Sequence, residues 1–400
     1  MALCFEKFNG TNMLNPHPLI CVCIPVYQTE QFLERCLRSV ITQNFIPKDF
    51  KNETFDDCWP FEILVVSDAS RGNDEKGRNA KKIVHLMQKE CNSFRRKNNL
   101  LPVKINFIEH RKNRGILEVR RTLTTQTNAE YVFHLDSDDE IMPGTLQRLW
   151  DACVGLDGIA GDAFVGGEYV GSSCVGAGNS GAETKYDIVH CTFESGSYDS
   201  NGNFVPASYN KCGSIYYGTI PGGKILSSWL HSKISGNLCG KLIRRSLVEE
   251  AYKKIPYTEC NLGDDILIFF FISQCANNYI GIEDKLYRYR INSGMSSHRK
   301  IDSLERWRLV CSGAAVFTVI SQWIKENQTI TKEDVEIIRA MTRDYLVRTI
   351  FQLNETVVPE LKQDAYQMLY EYWGKSFVER METAIIKALK NKKESEKLPE

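Results

Sequence analysis

The chain has 400 residues, of which 42% are apolar and 25% charged, a composition that suits a globular protein large enough for two domains. Its 50 Lys and Arg residues balance 50 Asp and Glu residues, so no net field draws it to nucleic acid. The 14 cysteines form no CxxC pair, which suits neither a zinc site nor a short disulfide framework and fits reduced thiols in a cytosol.

In chain order, the polar segment Met1 to Pro18 carries no signal-peptide apolar region, and the longest apolar run, Ile266 to Ile272, is too short to cross a bilayer. A cytoplasmic protein is therefore expected, at most resting on the inner face of the plasma membrane. Leu19 to Ile24 reads as a strand ended by Pro25. Thr29 to Thr42 reads as an amphipathic helix with Thr29 as its cap. Phe61 to Val66 is the second strand, followed by a long helix from about Asp74 to Cys91. Val103 to Ile108 is the third strand, Ile116 to Thr125 a helix, and Tyr131 to Leu135 the fourth strand. Pro143 then opens a helix from Met142 to Trp150. Such alternation predicts an α/β fold with a mostly parallel sheet and helices on both faces.

The segment from Gly155 to Gly223 is rich in Gly, Ser and Tyr and reads as loops with a small antiparallel excursion near Asp187 to Phe193. Regular structure returns at Cys239 to Val248, with a helix from Asp264 to Asn277 and a strand from Tyr279 to Tyr289. The last hundred residues read as an all-helical module. Leu304, Trp307, Val310, Ala314 and Phe317 form one stripe, Thr331 and Asp334 form a capping box, and Pro359 starts a further helix. The expected division is 15–298, including the 155–223 insertion, and 299–400. The C-terminal helices are candidates for homo-oligomer, acceptor or membrane contact, and the lysine-rich tail is compatible with contact to anionic lipid.

The most informative stretch is Leu135-Asp136-Ser137-Asp138-Asp139. Three carboxylates at a strand end repel one another unless a positive charge lies between them, and a hard divalent cation shared with phosphate oxygens supplies one. The alternative is a solvated turn before a helix. Ligands on parallel sheets sit outside the carboxyl ends of the strands, where Tyr27, Asp68 and Asp136 all fall.

These pieces together resemble family 2 of the inverting nucleotide-sugar glycosyltransferases, which have the GT-A fold. Cys23-Ile24-Pro25-Val26-Tyr27-Gln28 is similar to the family's opening strand and loop, and Val65-Val66-Ser67-Asp68-Ala69-Ser70 to its second signature. Asn113-Arg114-Gly115 with Val119-Arg120-Arg121 is similar to a third, Leu135 to Asp139 to the metal motif, and Gly263-Asp264-Asp265 to the acidic pair. Leu286 to Arg290 with Ser293 to Ser297 is similar to the closing segment. Departures include Ser67, Ala69, Gln28 and Arg121 where the family usually has Asp, Gly, Asn and Asn.

The resemblance implies that Asp265 is the general base, with Asp264 orienting the acceptor. It implies that Pro25, Tyr27, Asp68, Arg120, Asp136 and Arg290 hold the donor, Asp68 by accepting a uracil N–H. It implies that Asp136, Asp138, Asp139 and His298 hold Mn²⁺ or Mg²⁺. The donor is expected to be a UDP-sugar, the acceptor a glycan, glycolipid or glycoprotein hydroxyl, and nucleic acid is not expected as a partner. Two other readings stay open at this point. One is a nucleotidyltransferase, which would usually carry a glycine-rich basic loop after the first strand, where this chain has Pro25-Val26-Tyr27-Gln28-Thr29. The other is a non-catalytic scaffold.

Overall fold

A computed structural model of the chain describes residues 17–47, 59–156, 185–210, 213–291, 293 and 300–395. Its elements in order are β1 (Ile20–Val26), α1 (Glu30–Ile41), β2 (Phe61–Ser67), α2 (Ala80–Lys97), β3 (Lys104–Glu109), α3 (Ile116–Thr125), β4 (Tyr131–His134), β5 (Glu140–Ile141) and α4 (Thr145–Cys153). Next come β6 (Ile188–Tyr198), β7 (Phe204–Pro206), β8 (Gly218–Pro221), α5 (Ile225–Leu230), β9 (Lys241–Arg244), α6 (Arg245–Lys254), α7 (Asp264–Cys275) and β10 (Asn278–Arg290). The chain closes with α8 (Leu304–Cys311), α9 (Ala314–Glu326), α10 (Lys332–Thr356), α11 (Lys362–Trp373) and α12 (Lys375–Ser395).

One sheet organises the molecule, with the order β3-β2-β1-β4-β9-β6-β10-β5. The strands β1 to β4 are parallel, and β6 and β10 run the same way, so the mostly parallel expectation holds. Unforeseen from sequence is β9, which enters antiparallel between β4 and β6. Strand order reverses at β1, and such a reversal opens a crevice at the strand ends.

Alternate side chains of β1 feed two cores. Ile20, Val22 and Ile24 pack with Leu33 and Leu37 of α1 and Ile83 and Met87 of α2. Cys21 and Cys23 pack on the opposite side with Leu117 and Leu123 of α3 and with α7. Burial on both faces explains why β1 is an unbroken apolar run and why β2 is apolar from Ile63 to Val66 instead of alternating. Helix α7 is apolar all round, and Leu267 to Ile272 are fully buried. The C-terminal helices cover its outer side: Phe271 meets Trp323 edge-on at 5.2 Å, and the buried Trp307 donates its indole N–H to the Ala365 carbonyl at 2.9 Å. The stretch Leu304–Glu326 is long and apolar enough by composition to cross a membrane, although no single run in it is continuous. Its residues Trp307, Val310, Val316, Phe317 and Ile320 are buried in the same core as α7.

Three elements differ from expectation for local reasons. Helix α2 starts at Ala80 instead of Asp74, because Asp74 Oδ1 accepts from the Lys76 and Arg78 backbone N–H groups and turns the chain. Asn79 then caps the helix by accepting from Lys82 N at 3.0 Å. Helix α4 starts at Thr145, because Glu140 and Ile141 are drawn into pairing with Arg288 and Tyr287 of β10. Within 155–223, residues 157–184, 211 and 212 lie outside the described set. The remainder supplies β7, β8 and β6, an eleven-residue strand over the stretch expected to be extended, which lies inside the main sheet, parallel to β10, instead of in a small separate excursion.

Candidate active site

The carboxyl ends of β1, β2 and β3 open into a cleft of about 480 Å³, a size that suits a small ligand. It is lined by Tyr27 and Gln28 after β1, Ala69 and Arg71 after β2, Arg111, Lys112 and Asn113 after β3, and Glu305 from α8. Gln28 and Ala69 hold left-handed backbone conformations with φ of 56° and 52°, uncommon for residues with a Cβ. The Gln28 N–H donates to Ser70 Oγ at 2.8 Å, which fixes one loop against the other. Tyr27 is 36% exposed on this wall. Pro25 is buried within β1 opposite Val66 and does not reach the cleft wall, in departure from its expected role.

Asp68 also departs from expectation. It is buried, and its carboxylate accepts from the backbone N–H of Arg114 at 2.9 and 3.0 Å and of Gly115 at 2.8 Å. His110 Nδ1 lies 2.7 Å from Oδ1, and His110 Nε2 lies 3.0 Å from Thr122 Oγ1. Asp68 thus fastens the β3–α3 loop from a buried position that is not among the residues lining the cleft. Gly115 closes that loop with φ of 83°, and a Cβ there would lie 2.5 Å from Asn261 Oδ1. The close approach brings the loop against the turn that precedes α7.

Past β4 the acidic motif divides. Asp139 is buried; it accepts from the Tyr287 hydroxyl and the Arg290 backbone N–H, both at 2.7 Å. Burial, then Asp138 and Asp136, push its carboxyl up. With both oxygens engaged by the protein, Asp139 departs from the expectation of a metal ligand. Asp136 and Asp138 stay partly exposed. Burial, then the charge of Asp136, raises the Asp138 carboxyl, a cost that a cation would relieve.

Arg120 is the hub. It is 3% exposed; its Nε donates to Asp264 Oδ2 at 2.9 Å, and its Nη2 donates to Asp136 Oδ1 at 3.1 Å and lies 3.7 Å from Asp265 Oδ1. Burial works against its charge, but Asp136, Asp264 and Asp265 outweigh it and hold the guanidinium protonated. Asp264 and Asp265 open α7 directly after Gly263, which has φ of 82°. Asp264 is buried and bonded, whereas the Asp265 side chain keeps 31% exposure and its Oδ1 makes no hydrogen bond among the described residues. Burial, then the neighbouring Asp264, push the Asp265 carboxyl up to about 7, with Arg120 opposing and solvent on the exposed part tempering the shift.

Arg290 sits near the acids but is boxed in. Its guanidinium lies over the rings of Phe32 at 4.5 Å and Tyr198 at 4.4 Å, and its Nε donates to the Asp138 carbonyl at 3.1 Å. His298 lies outside the described residues. Among the described residues no three His, Cys, Asp or Glu side chains gather tightly enough to hold a cation unaided. Two hard carboxylates, Asp136 and Asp138, still fit Mn²⁺ or Mg²⁺ of the kind that completes its shell with phosphate oxygens and water.

Sequence reasoning missed Arg71, Arg111, Lys112, His110 and Glu305, and read Asn113 only as part of a signature. The run Arg111-Lys112-Asn113-Arg114 directly after β3 was a readable signal of a basic strand-end loop. Nothing local marked Glu305, which reaches the cleft only through the packing of α8.

Residues 21–166 match the model of glycosyl transferase family 2. This part of the chain belongs to that family. The family 2 region holds β1 to β4, the loops around the cleft and the acidic motif, while Asp264, Asp265 and Glu305 come from beyond it. The chain is similar to EpsH of Bacillus subtilis (strain 168), which bears a glycosyltransferase name, at 22% identity over 321 residues, covering 80% of this chain and 73% of EpsH. It is also similar to the glycosyltransferase GlyA of Streptococcus pneumoniae serotype 4 (strain ATCC BAA-334 / TIGR4), at 30% identity over 135 residues, or 34% of this chain and only 15% of GlyA. Among solved structures, S. aureus TarS 1-349 in complex with UDP aligns over 91% of both chains, with 16% identity and a TM-score of 0.43. The mannosyltransferase PcManGT from Pyrobaculum calidifontis, in complex with GDP-Man and Mn²⁺, aligns over 93% of this chain and 87% of its own, with 14% identity and a TM-score of 0.45.

Proposed function

We propose that the chain transfers a sugar from a nucleotide diphosphate sugar, UDP-linked by preference, to a hydroxyl of a glycan, glycolipid or glycoprotein, with inversion at the anomeric carbon. The observation that carries this reading is Arg120, which ties Asp136 after β4 to Asp264 and Asp265 at the head of α7. One side chain thereby joins the acids suited to a donor diphosphate with the acids suited to an acceptor. The cleft walled by Tyr27 has room for a nucleoside.

In this reading Asp265 takes the proton of the acceptor hydroxyl as its oxygen attacks the anomeric carbon from the face opposite the diphosphate. A carboxyl pushed up to about 7 is a competent base near neutrality, and such a base contributes about 10²–10⁴-fold. Asp264, buried and bonded to Arg120, fixes its neighbour instead of accepting the proton. Arg120 keeps the three carboxylates from forcing one another apart. Asp136 and Asp138 would hold Mn²⁺ or Mg²⁺, which when bound supplies Lewis-acid neutralisation of the departing diphosphate.

The test is a thermal-shift titration with UDP, with and without Mn²⁺, on the wild type and Asp138→Ala. Occupancy of the folded state raises Tm. A Mn²⁺-dependent rise with UDP that disappears in the variant is expected. A rise with nucleoside triphosphates alone would overturn the reading in favour of nucleotidyl transfer.

A further inference from the structure

Resting on the reading of the cleft as a nucleotide site, we infer that the carboxylate that reads the base is Glu305, supplied by the C-terminal helices, and that the base it selects carries a ring N–H, as uracil and guanine do. The expected base reader, Asp68, is buried, bonded to the N–H groups of Arg114 and Gly115 and beside His110, and does not line the cleft. Glu305 is the carboxylate among the residues lining the cleft. It stands on the same wall as Tyr27, whose phenol is pushed up by burial, then by Glu305 and Asp68.

The charges around the cleft are arranged for a ligand with two kinds of end. Arg71, Arg111 and Lys112 face it together with Glu305, yet none of the four forms an ion pair within 4 Å among the described residues. Opposite charges that share a cleft without pairing suit an occupant bearing both negative groups and a donor edge. A nucleoside diphosphate has both. A carboxylate accepts a ring N–H in a charge-assisted bond, but meets a lone pair at the same ring position of cytosine or adenine.

Glu305 is held for such a task. Helix α8 is anchored by the fully buried Trp307 and by Cys311. The helix start is capped by Ser303, which accepts from Arg306 N at 3.3 Å, so Glu305 is not consumed in capping.

The experiment is calorimetric titration of the full chain, in Mn²⁺, with UDP, with UDP methylated at N3, and with CDP. The wild type is expected to favour UDP over its N3-methyl form by about tenfold, the worth of one charge-assisted hydrogen bond. In Glu305→Ala the affinity for UDP falls by about tenfold, the preference over the N3-methyl form disappears, and CDP affinity does not fall. Tm without ligand stays at the wild-type value, because the side chain is exposed. If Glu305→Ala keeps the full preference for UDP, another group reads the base and the inference is overturned while nucleotide binding stands. If the wild type binds UDP and its N3-methyl form equally, the inference likewise fails. If the wild type binds no UDP at all, the proposed function itself has failed.

Discussion

The ends of β2 and β4 each carry aspartates after a buried strand, but the two ends use them differently. At β2, Asp68 is sealed in and bonded to backbone N–H groups on the neighbouring loop. At β4, Asp136 and Asp138 stay partly exposed, and only Asp139 is sealed in like Asp68. A buried carboxylate bonded on both oxygens to the surrounding chain holds shape. A carboxylate left partly open to solvent is available to a ligand. Sequence motifs alone cannot separate these roles, because the residue type and strand position are the same.

The comparison breaks most visibly at Asp265, the open member of the second acidic pair. Asp265→Asn is expected to lower turnover by about 10²–10⁴-fold while the UDP dissociation constant stays within about twofold; initial rates and UDP titration check both. A variant that loses UDP affinity and turnover equally would move Asp265 to the sealed class.

Next in size is Arg120→Gln. Three carboxylates would lose their common counter-ion, and breaking a buried pair costs about 3–5 kcal/mol, read as a fall in Tm. Because Arg120 opposes the rise at Asp265, the pH limb of the variant's residual activity should also move upward.

Smaller, and the sharpest contrast, is Asp139→Asn against Asp138→Asn. The first is expected to cost about 1–3 kcal/mol of stability, since Tyr287 and Arg290 N lose a matched acceptor, and to leave Mn²⁺-dependent UDP binding intact. The second should leave stability almost unchanged and weaken that binding. Denaturant melts and UDP titrations in Mn²⁺ distinguish the two.

The smallest effect is the pH dependence. A base must be ionised to act, so kcat/KM should rise about tenfold per pH unit below about 7 and level off above it. The same raised carboxyl means the folded state holds a proton that the unfolded state has lost. Its contribution to stability is therefore present below about pH 4 and declines as pH rises to about 7. Melts of Asp265→Asn should lack that decline.

Much of the frame was legible because it is local. Helix α3 starts and ends where its apolar spacing places it, and Thr331 caps α10 by accepting from Asp334 N. The gathering of strand ends was legible because parallel sheets collect them at one edge. What was hidden depends on distant chain. Strand β9 has no local mark of its antiparallel place beside β4. The sealing of Asp68 needs a loop more than forty residues away. The Arg120 hub spans 144 positions to Asp264.

Gly263 and Gly313 both back onto Tyr345 of α10, and a Cβ on Gly313 would sit within 3 Å of that ring. The turn that launches the acidic pair is therefore wedged by an aromatic side chain eighty residues downstream. Enlarging Gly313 would press on Tyr345, which also backs Gly263 at the head of α7, so a change in the C-terminal helices can reach the seat of the acidic pair without touching either aspartate.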